Sequence, residues 1–131
     1  MIRVSILWQT TGIPTHNEQV MLDLEADEHI IRAARLRLDD DEVLAYELVS
    51  VPVDLLPTTN GTSALQDIQQ LSAANRLKLG QATERASQVA ADRILAKYLG
   101  VARGDTIDMF DRIMLLDTGR PIEWRIAFAR P

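Results

Sequence analysis

The hydrophobic and polar positions of this chain form several short runs that are typical of β-strands, and few long runs with helical spacing. The runs predict strands over residues 3–9, 29–38, 43–51, 77–86, 106–116 and 122–129. Turn-forming sequences separate four of these strands into two pairs. Asp39-Asp40-Asp41-Glu42 stands between the second and third strands, and Asp117-Thr118-Gly119-Arg120 stands between the last two. The sequence therefore predicts two β-hairpins, and a two-residue turn at Thr118-Gly119 would pair Met114 with Glu123.

Helical signals are fewer. Ser63 followed by Gln66 has the spacing of a capping box, which predicts a helix over residues 64–73. Residues 10–17 contain Gly and Pro and are predicted to be a loop. Residues 18–24 fit either a short helix or an extended segment.

A second helix is predicted after Ser87, which is a suitable N-cap residue, and Gly100 is placed to end it. Its apolar face would consist of Ala91, Ile94, Leu95 and Tyr98. Because strands outnumber helices and hairpins connect the strands, the fold class is α+β. We expect a mostly antiparallel sheet with helices packed over it.

Composition limits the possible functions. With 131 residues, of which 47% are hydrophobic and 25% charged, residues 1–131 are expected to form a single domain with a real core. Trp8 and Trp124 are expected to pack in that core.

The absence of cysteine excludes a disulfide scaffold, a thiolate zinc site and a cysteine nucleophile, and it fits a reducing cytoplasm. A net charge of −5 makes the chain by itself a poor nucleic-acid binder. No signal peptide is expected, and no apolar run of the sequence is long enough to span a membrane.

The strongest candidate chemistry lies in the first hairpin. Side chains alternate along a strand, so Arg35 and Arg37 point to the same face of the sheet. The returning strand can bring Glu47 beside them, and two guanidinium groups with one carboxylate suit a small anionic or zwitterionic ligand. The alternative is a ladder of surface ion pairs, which would have little energetic consequence. The second hairpin carries Arg112 and Glu123 at nearly the same spacing, which fits either a weak internal repeat or the usual placement of charges on hairpins.

Metal and cofactor sites are not expected. His16 with Glu18, or Glu28 with His29, offers two ligands without a third, and these residues are expected to be exposed. The acidic turn at residues 39–42 lacks the alternating ligands and the central glycine of a calcium loop. No catalytic triad is recognisable in the sequence.

Taken in their order along the chain, these features resemble those of the UTRA domain. That domain is the effector-binding domain of the HutC subfamily of GntR-type bacterial transcription regulators. The resemblance covers roughly residues 30–129. It depends on the Arg-x-Arg pair and its acidic turn, Glu47, the short helix, and the elements that follow, namely Leu99-Gly100-Val101, Gly104, Arg112 and Thr118-Gly119-Arg120-Pro121-Ile122-Glu123.

The resemblance implies a chorismate lyase-like fold, a homodimer, and a ligand pocket between sheet and helices. It implies that Arg35 and Arg37 contact anionic groups of the effector. It also implies that Glu47 and Glu123 are the pocket carboxylates and that Ser63 lines the pocket. No catalytic residue, metal or cofactor is implied.

The function that follows from the resemblance is effector sensing and dimerisation in a bacterial transcription regulator, with a small anionic or zwitterionic metabolite as effector. DNA would be bound only through a winged helix-turn-helix domain, which residues 1–131 do not contain. Two alternatives stay open at this point: an enzyme of chorismate-lyase type acting on a small carboxylate, and a bare dimerisation module.

Overall fold

In the computed structural model of the chain, which describes residues 1–55, 72–73 and 76–131, six strands form one antiparallel sheet. The strands are β1 (Ile2–Gly12), β2 (Ile30–Asp39), β3 (Glu42–Pro52), β4 (Leu79–Ala90), β5 (Thr106–Leu116) and β6 (Pro121–Ala129). Their order across the sheet is β1-β2-β3-β6-β5-β4. The two predicted hairpins are confirmed as β2–β3 and β5–β6, and they meet where β3 pairs with β6. The expected α+β class with an antiparallel sheet is therefore correct.

Among the described residues, two seven-residue helices lie on one side of the sheet, which we call the helix face. The ambiguous segment after residue 17 is helical, since α1 spans His16–Leu22, and its N-cap Thr15 forms a complete capping box with Glu18. The second helix, α2, spans Arg93–Leu99, and a 3-10 turn covers Val53–Leu55. The helix predicted over residues 64–73 lies outside the described residues, except for residues 72–73, which are helical.

The predicted start of α2 is wrong. Ser87 does not cap a helix, because β4 continues to Ala90 and its residues stay paired with β5. The N-cap is Asp92, whose carboxylate accepts a hydrogen bond from the Leu95 amide at 2.8 Å. The predicted end is correct, since Gly100 adopts the left-handed conformation with φ of 68°.

The helix face buries a hydrophobic cluster under α2. Its buried members are Ala34, Leu36, Leu38, Tyr46, Ala91, Leu95, Leu99 and Ile107. Of the predicted apolar face of this helix, Ala91 and Leu95 are buried, but Ile94 is 52% exposed. Trp8 also departs from the expected core position, because it lies on the helix face with 47% of its surface exposed. Trp124 is partly buried and packs against Leu22, Leu24 and Ile30.

The opposite face of the sheet has its own hydrophobic cluster. It contains Ile31, Ala33, Val49, Val51, Leu55, Leu116 and Ile122. Leu77, Leu79 and Met114 pack against it as partly buried neighbours. The charged residues described below lie on the same face of the sheet as this cluster.

Candidate functional site

A β-bulge in the first hairpin determines which side chains share a face. The turn itself is two residues long, since Asp39 pairs with Glu42, and Asp40 takes the left-handed conformation with φ of 53°. Such a loop in regular pairing would place Glu47 and Arg35 on opposite faces. However, Leu44 has no partner in the register, because Leu38 pairs with Val43 while Arg37 pairs with Ala45. The unpaired Leu44 shifts the pairing of the following β3 residues by one position, so Arg35 and Glu47 are direct cross-strand partners.

Glu47 is held by both predicted arginines. Its carboxylate accepts hydrogen bonds from Arg35 Nε at 2.7 Å, and from Arg37 Nε and a terminal Arg37 nitrogen, both at 3.2 Å. Arg35 and Glu47 are almost fully buried, with 1% and 2% of their side chains exposed, whereas Arg37 is 25% exposed. The prediction that these three residues share one sheet face is confirmed. That the face lines a ligand concavity stays a prediction.

The ion pairs determine the charge state of Glu47. Burial by itself raises the pKa of a carboxyl group, but attraction by Arg35 and hydrogen bonding and attraction by Arg37 outweigh it, so the pKa of Glu47 is lowered. Glu47 is therefore ionised at neutral pH, and it compensates the charge of a fully buried guanidinium group.

The second hairpin brings a further pair to the same face. Arg112 donates to Glu123 Oε1 at 2.7 Å, and Glu123 is buried. The predicted pairing of Met114 with Glu123 is observed, but the two-residue turn at Thr118-Gly119 that would produce it is not formed, because Leu115 pairs with Pro121 and a register shift restores the pair. The hairpins thus place two Arg–Glu pairs side by side. We call this surface the arginine face and define it by Arg35, Arg37, Glu47, Arg112, Glu123 and Arg125.

Arg125 is a member of this face that sequence analysis missed. It lies opposite Arg112 in the β5–β6 ladder, and one terminal nitrogen is 3.8 Å from the Glu47 carboxylate. The signal was present in the sequence, since Arg125 stands two residues after Glu123 and the alternation of a strand puts both on one face. Burial lowers the pKa of Arg125, attraction by Glu47 partly offsets this, and repulsion by Arg112 lowers it further. Ser63, the remaining predicted site residue, lies outside the described residues.

The helix face has a different buried polar network, which fixes α1 to the sheet. Both oxygens of Glu18 accept from Arg32 Nε, at 3.1 and 2.9 Å, and Ser50 Oγ donates to Glu18 at 2.8 Å. Burial raises the pKa of Glu18, but hydrogen bonds from Arg32, the Thr15 backbone and Ser50 lower it below its ordinary value. Glu18 is therefore buried in a structural network and is not the exposed residue expected from the sequence. Within the described ranges, no group of three His, Asp or Glu side chains could hold a metal ion.

Two cavities open on the helix face beside Trp8. One, of about 350 Å³, lies between α1 and the sheet, and its walls include Trp8, Leu48, Trp124 and Ile126. The other, of about 730 Å³, lies between Trp8 and α2 and is bordered by Tyr46 and Tyr98. Trp8 separates these cavities, which explains why its ring is half-exposed rather than packed in the core.

Comparison with known proteins agrees with this architecture. The sequence matches the family model of the UTRA domain over residues 3–131. A GntR-family transcriptional regulator from Enterococcus faecalis is 26% identical with a TM-score of 0.87, and the match covers 96% of this chain and 91% of that chain. A putative transcriptional regulator from Streptomyces coelicolor is also 26% identical, with a TM-score of 0.86, over 100% of this chain and 90% of that one.

A further structural neighbour shows the same fold at lower identity. It is the ligand-binding domain of a putative GntR-family transcriptional regulator from Bordetella bronchiseptica, with 20% identity and a TM-score of 0.88, over 98% of this chain and 84% of that one. Among curated proteins there is no significant sequence match. Over the described part of the chain, none of the helices has the length and apolar character needed to cross a membrane.

Proposed function

The chain belongs to the UTRA domain family and is an effector-binding regulatory domain, and we propose that its effector is a small anionic or zwitterionic metabolite bound on the arginine face. The observation that supports this most directly is the clustering of four arginines from two hairpins around two buried carboxylates. Ordinary surface ion pairs are exposed to solvent, whereas both of these carboxylates are buried. A site for an anion does need guanidinium groups that are fixed in position and partly shielded from water.

The buried and the accessible members of the face would have different roles. Arg35 and Glu47 form a buried, hydrogen-bonded ion pair in the sheet surface and would act as a rigid support. Arg37 is the most exposed of the four arginines and would contact the ligand directly, together with Glu123 or its partner Arg112. Ser63, which the family resemblance also implicates, would complete the site from the segment outside the described residues.

The regulatory mechanism would be linkage between effector binding and quaternary arrangement. We propose that residues 1–131 form one domain of a cytoplasmic homodimer of the HutC subfamily. Effector binding would favour one arrangement of the dimer over another, and a DNA-binding domain elsewhere in the regulator would respond to the change. An effector can shift this equilibrium only by the difference between its affinities for the two arrangements. The sedimentation velocity of the purified chain, with and without effector, measures both the dimer and its response.

A thermal-shift screen of sugar phosphates, carboxylates and amino acids tests the effector proposal. We expect at least one anionic compound to raise the melting temperature of the wild type without being converted. Arg37→Lys should lose most of that rise. Lysine keeps the positive charge but lacks the planar guanidinium group, which can donate two parallel hydrogen bonds to an anion. Arg130→Lys is the matched control, since Arg130 is an exposed arginine paired with Glu42.

The enzyme alternative is tested on the same samples. Incubation with chorismate followed by an assay for pyruvate would detect lyase turnover, and turnover would replace the sensor proposal by the enzyme. If no anion in the screen binds and the chain is a tight dimer, the bare dimerisation module is the better description.

A further inference from the structure

The larger cavity of the helix face is bordered by three aromatic side chains from three different elements. Trp8 comes from β1, Tyr46 from β3 and Tyr98 from α2, and the cavity has a volume of about 730 Å³. The rings of Tyr46 and Tyr98 are in contact, with 5.5 Å between their centroids. A cavity of this volume, lined by aromatic rings, is typical of a small-molecule site.

Tyr46 contributes a buried polar group to the wall of this cavity. Only 7% of its surface is exposed, and its hydroxyl forms no hydrogen bond with any residue that the structure describes. Burial, together with the neighbouring Tyr98 and the Asp92 carboxylate, raises the pKa of Tyr46, so the hydroxyl keeps its proton and can donate. Buried tyrosine hydroxyls normally have a hydrogen-bond partner. A ligand in the cavity that carries an acceptor oxygen would supply one.

Three basic side chains also border the cavity. Arg93 and Lys97 lie one turn apart on α2, and Arg103 follows the helix. Within the described part of the chain, none of the three forms an ion pair with a carboxylate. Asp92 borders the cavity too, but its carboxylate already accepts a hydrogen bond from the Leu95 amide at 2.8 Å. The whole chain has a net charge of −5, so this concentration of positive charge runs against its composition.

We infer that this cavity is a second ligand site, and that it takes a small amphipathic anion with a flat aromatic body and one carboxylate. The aromatic body would pack against Trp8 and Tyr98. The carboxylate would accept from the Tyr46 hydroxyl and be balanced by Arg93 and Lys97. Lys97 is already held over the Tyr98 ring, with Nζ 5.4 Å from the ring centroid.

The second site is separate from the arginine face. Tyr46 and Glu47 are consecutive residues of β3, so their side chains point to opposite faces of the sheet. The inference therefore does not rest on the proposed effector site, and it gives the domain two surfaces to which different ligands can bind.

NMR titration with cinnamate tests the site, because the chain contains only two tryptophans and hence gives two indole N–H signals. Trp8→Phe assigns them. Trp8 borders both cavities, whereas Trp124 borders only the smaller one and donates to Asp111 at 2.8 Å. We expect cinnamate to shift the Trp8 signal with a dissociation constant on the order of 1 mM or lower, and to leave the Trp124 signal in place.

Two comparisons test recognition of the charge. Cinnamamide keeps the ring and an acceptor oxygen but has no charge, and it should bind about tenfold more weakly than cinnamate. Lys97→Gln should weaken cinnamate binding about fivefold. Lys78→Gln is the matched control, since Lys78 is an exposed lysine that precedes β4 and has no ion pair to a described residue. This variant should bind cinnamate as the wild type does.

Tyr46→Phe separates binding from a merely structural role of the hydroxyl. We expect this variant to bind cinnamate about fivefold more weakly and to melt at the same temperature as the wild type, because the hydroxyl has no partner among the described residues. A structural role would instead lower the melting temperature and leave the affinity unchanged.

Three results would overturn the inference. They are a Trp8 signal that excess cinnamate does not move, a Trp124 signal that moves as far as that of Trp8, and equal affinities for cinnamate and cinnamamide. The first would also be seen if a second copy of the chain covered the cavity, and the second would place the ligand in the smaller cavity. None of them decides the proposed function, because an effector that depends on Arg37 binds on the opposite face of the sheet.

Discussion

Arg35 lies directly opposite Glu47 in the β2–β3 ladder, and its Nε donates to the Glu47 carboxylate at 2.7 Å with both side chains almost fully buried. Breaking a buried ion pair by removing one partner leaves the other charge without compensation. The pair therefore contributes to the stability of the free domain, and it would also fix the shape of the proposed ligand site.

Glu47→Gln should destabilise the domain by about 3–5 kcal/mol, the range for removing one partner of a buried pair. Arg35 would keep a neutral acceptor but lose the charge that compensates it. Urea denaturation at pH 7 measures the change in the free energy of unfolding. Glu42→Gln is the control, because that carboxylate is 64% exposed and should change stability by less than about 0.5 kcal/mol. Equal stabilities of the two variants would contradict the prediction.

The near-complete burial of Arg35 and Glu47 argues against the alternative of a ladder of surface ion pairs, which would have little energetic consequence. Composition and strand alternation are enough to predict the hairpins and the shared face of Arg35 and Arg37. The predicted pairing of Met114 with Glu123 depends on a two-residue turn that does not form, and it occurs because a register shift compensates. Composition and strand alternation cannot predict burial, because burial depends on which other segments pack against a face. They also cannot locate the bulge at Leu44, which is a matter of strand pairing rather than of composition.

Arg37 should be the arginine whose loss affects binding most and stability least. We expect Arg37→Ala to weaken effector binding by about 2–5 kcal/mol, as for one partner of a desolvated charge pair. Its effect on the free protein should be smaller than that of Glu47→Gln, because Arg37 is 25% exposed and Glu47 keeps Arg35. Calorimetric titration of an anion from the screen compares the wild type, Arg37→Ala and Arg130→Ala. Unchanged affinity in Arg37→Ala would exclude this arginine from the site.

Stability should fall in acid because of two buried carboxylates. In the folded state the pKa values of Glu18 and Glu47 lie below the ordinary value of 4.5. A lowered pKa means that the unfolded chain binds protons more readily, so the stabilisation is complete above pH 4.5 and is lost as the pH falls through the folded values. Urea midpoints measured from pH 7 to pH 3 should decrease below about pH 4.5.

Glu18→Gln separates one of these contributions from the other. The variant should be less stable than the wild type at pH 7, and its urea midpoint should fall less steeply in acid, because one shifted carboxylate is gone. Glu42→Gln again serves as the exposed control. A slope in Glu18→Gln as steep as that of the wild type would show that the Glu18–Arg32 network does not contribute to acid sensitivity.

The isolated chain should show no specific operator binding. Its net charge is −5, and both described helices, α1 and α2, are seven residues long and packed on the helix face. A gel-shift assay at physiological salt with candidate operator fragments measures this. Sequence-specific binding in the nanomolar range would contradict the prediction.

The single unpaired residue at Leu44 means that this hairpin can shorten by one residue without losing its pairs. Deleting Leu44 would remove the bulge and leave Arg37 opposite Ala45 and Arg35 opposite Glu47 in regular pairing. Inserting one residue beside Leu44 would instead place Tyr46 opposite Arg35 and turn Glu47 to the helix face, unless a second bulge formed. We therefore expect related hairpins to lose one residue here more readily during evolution than to gain one.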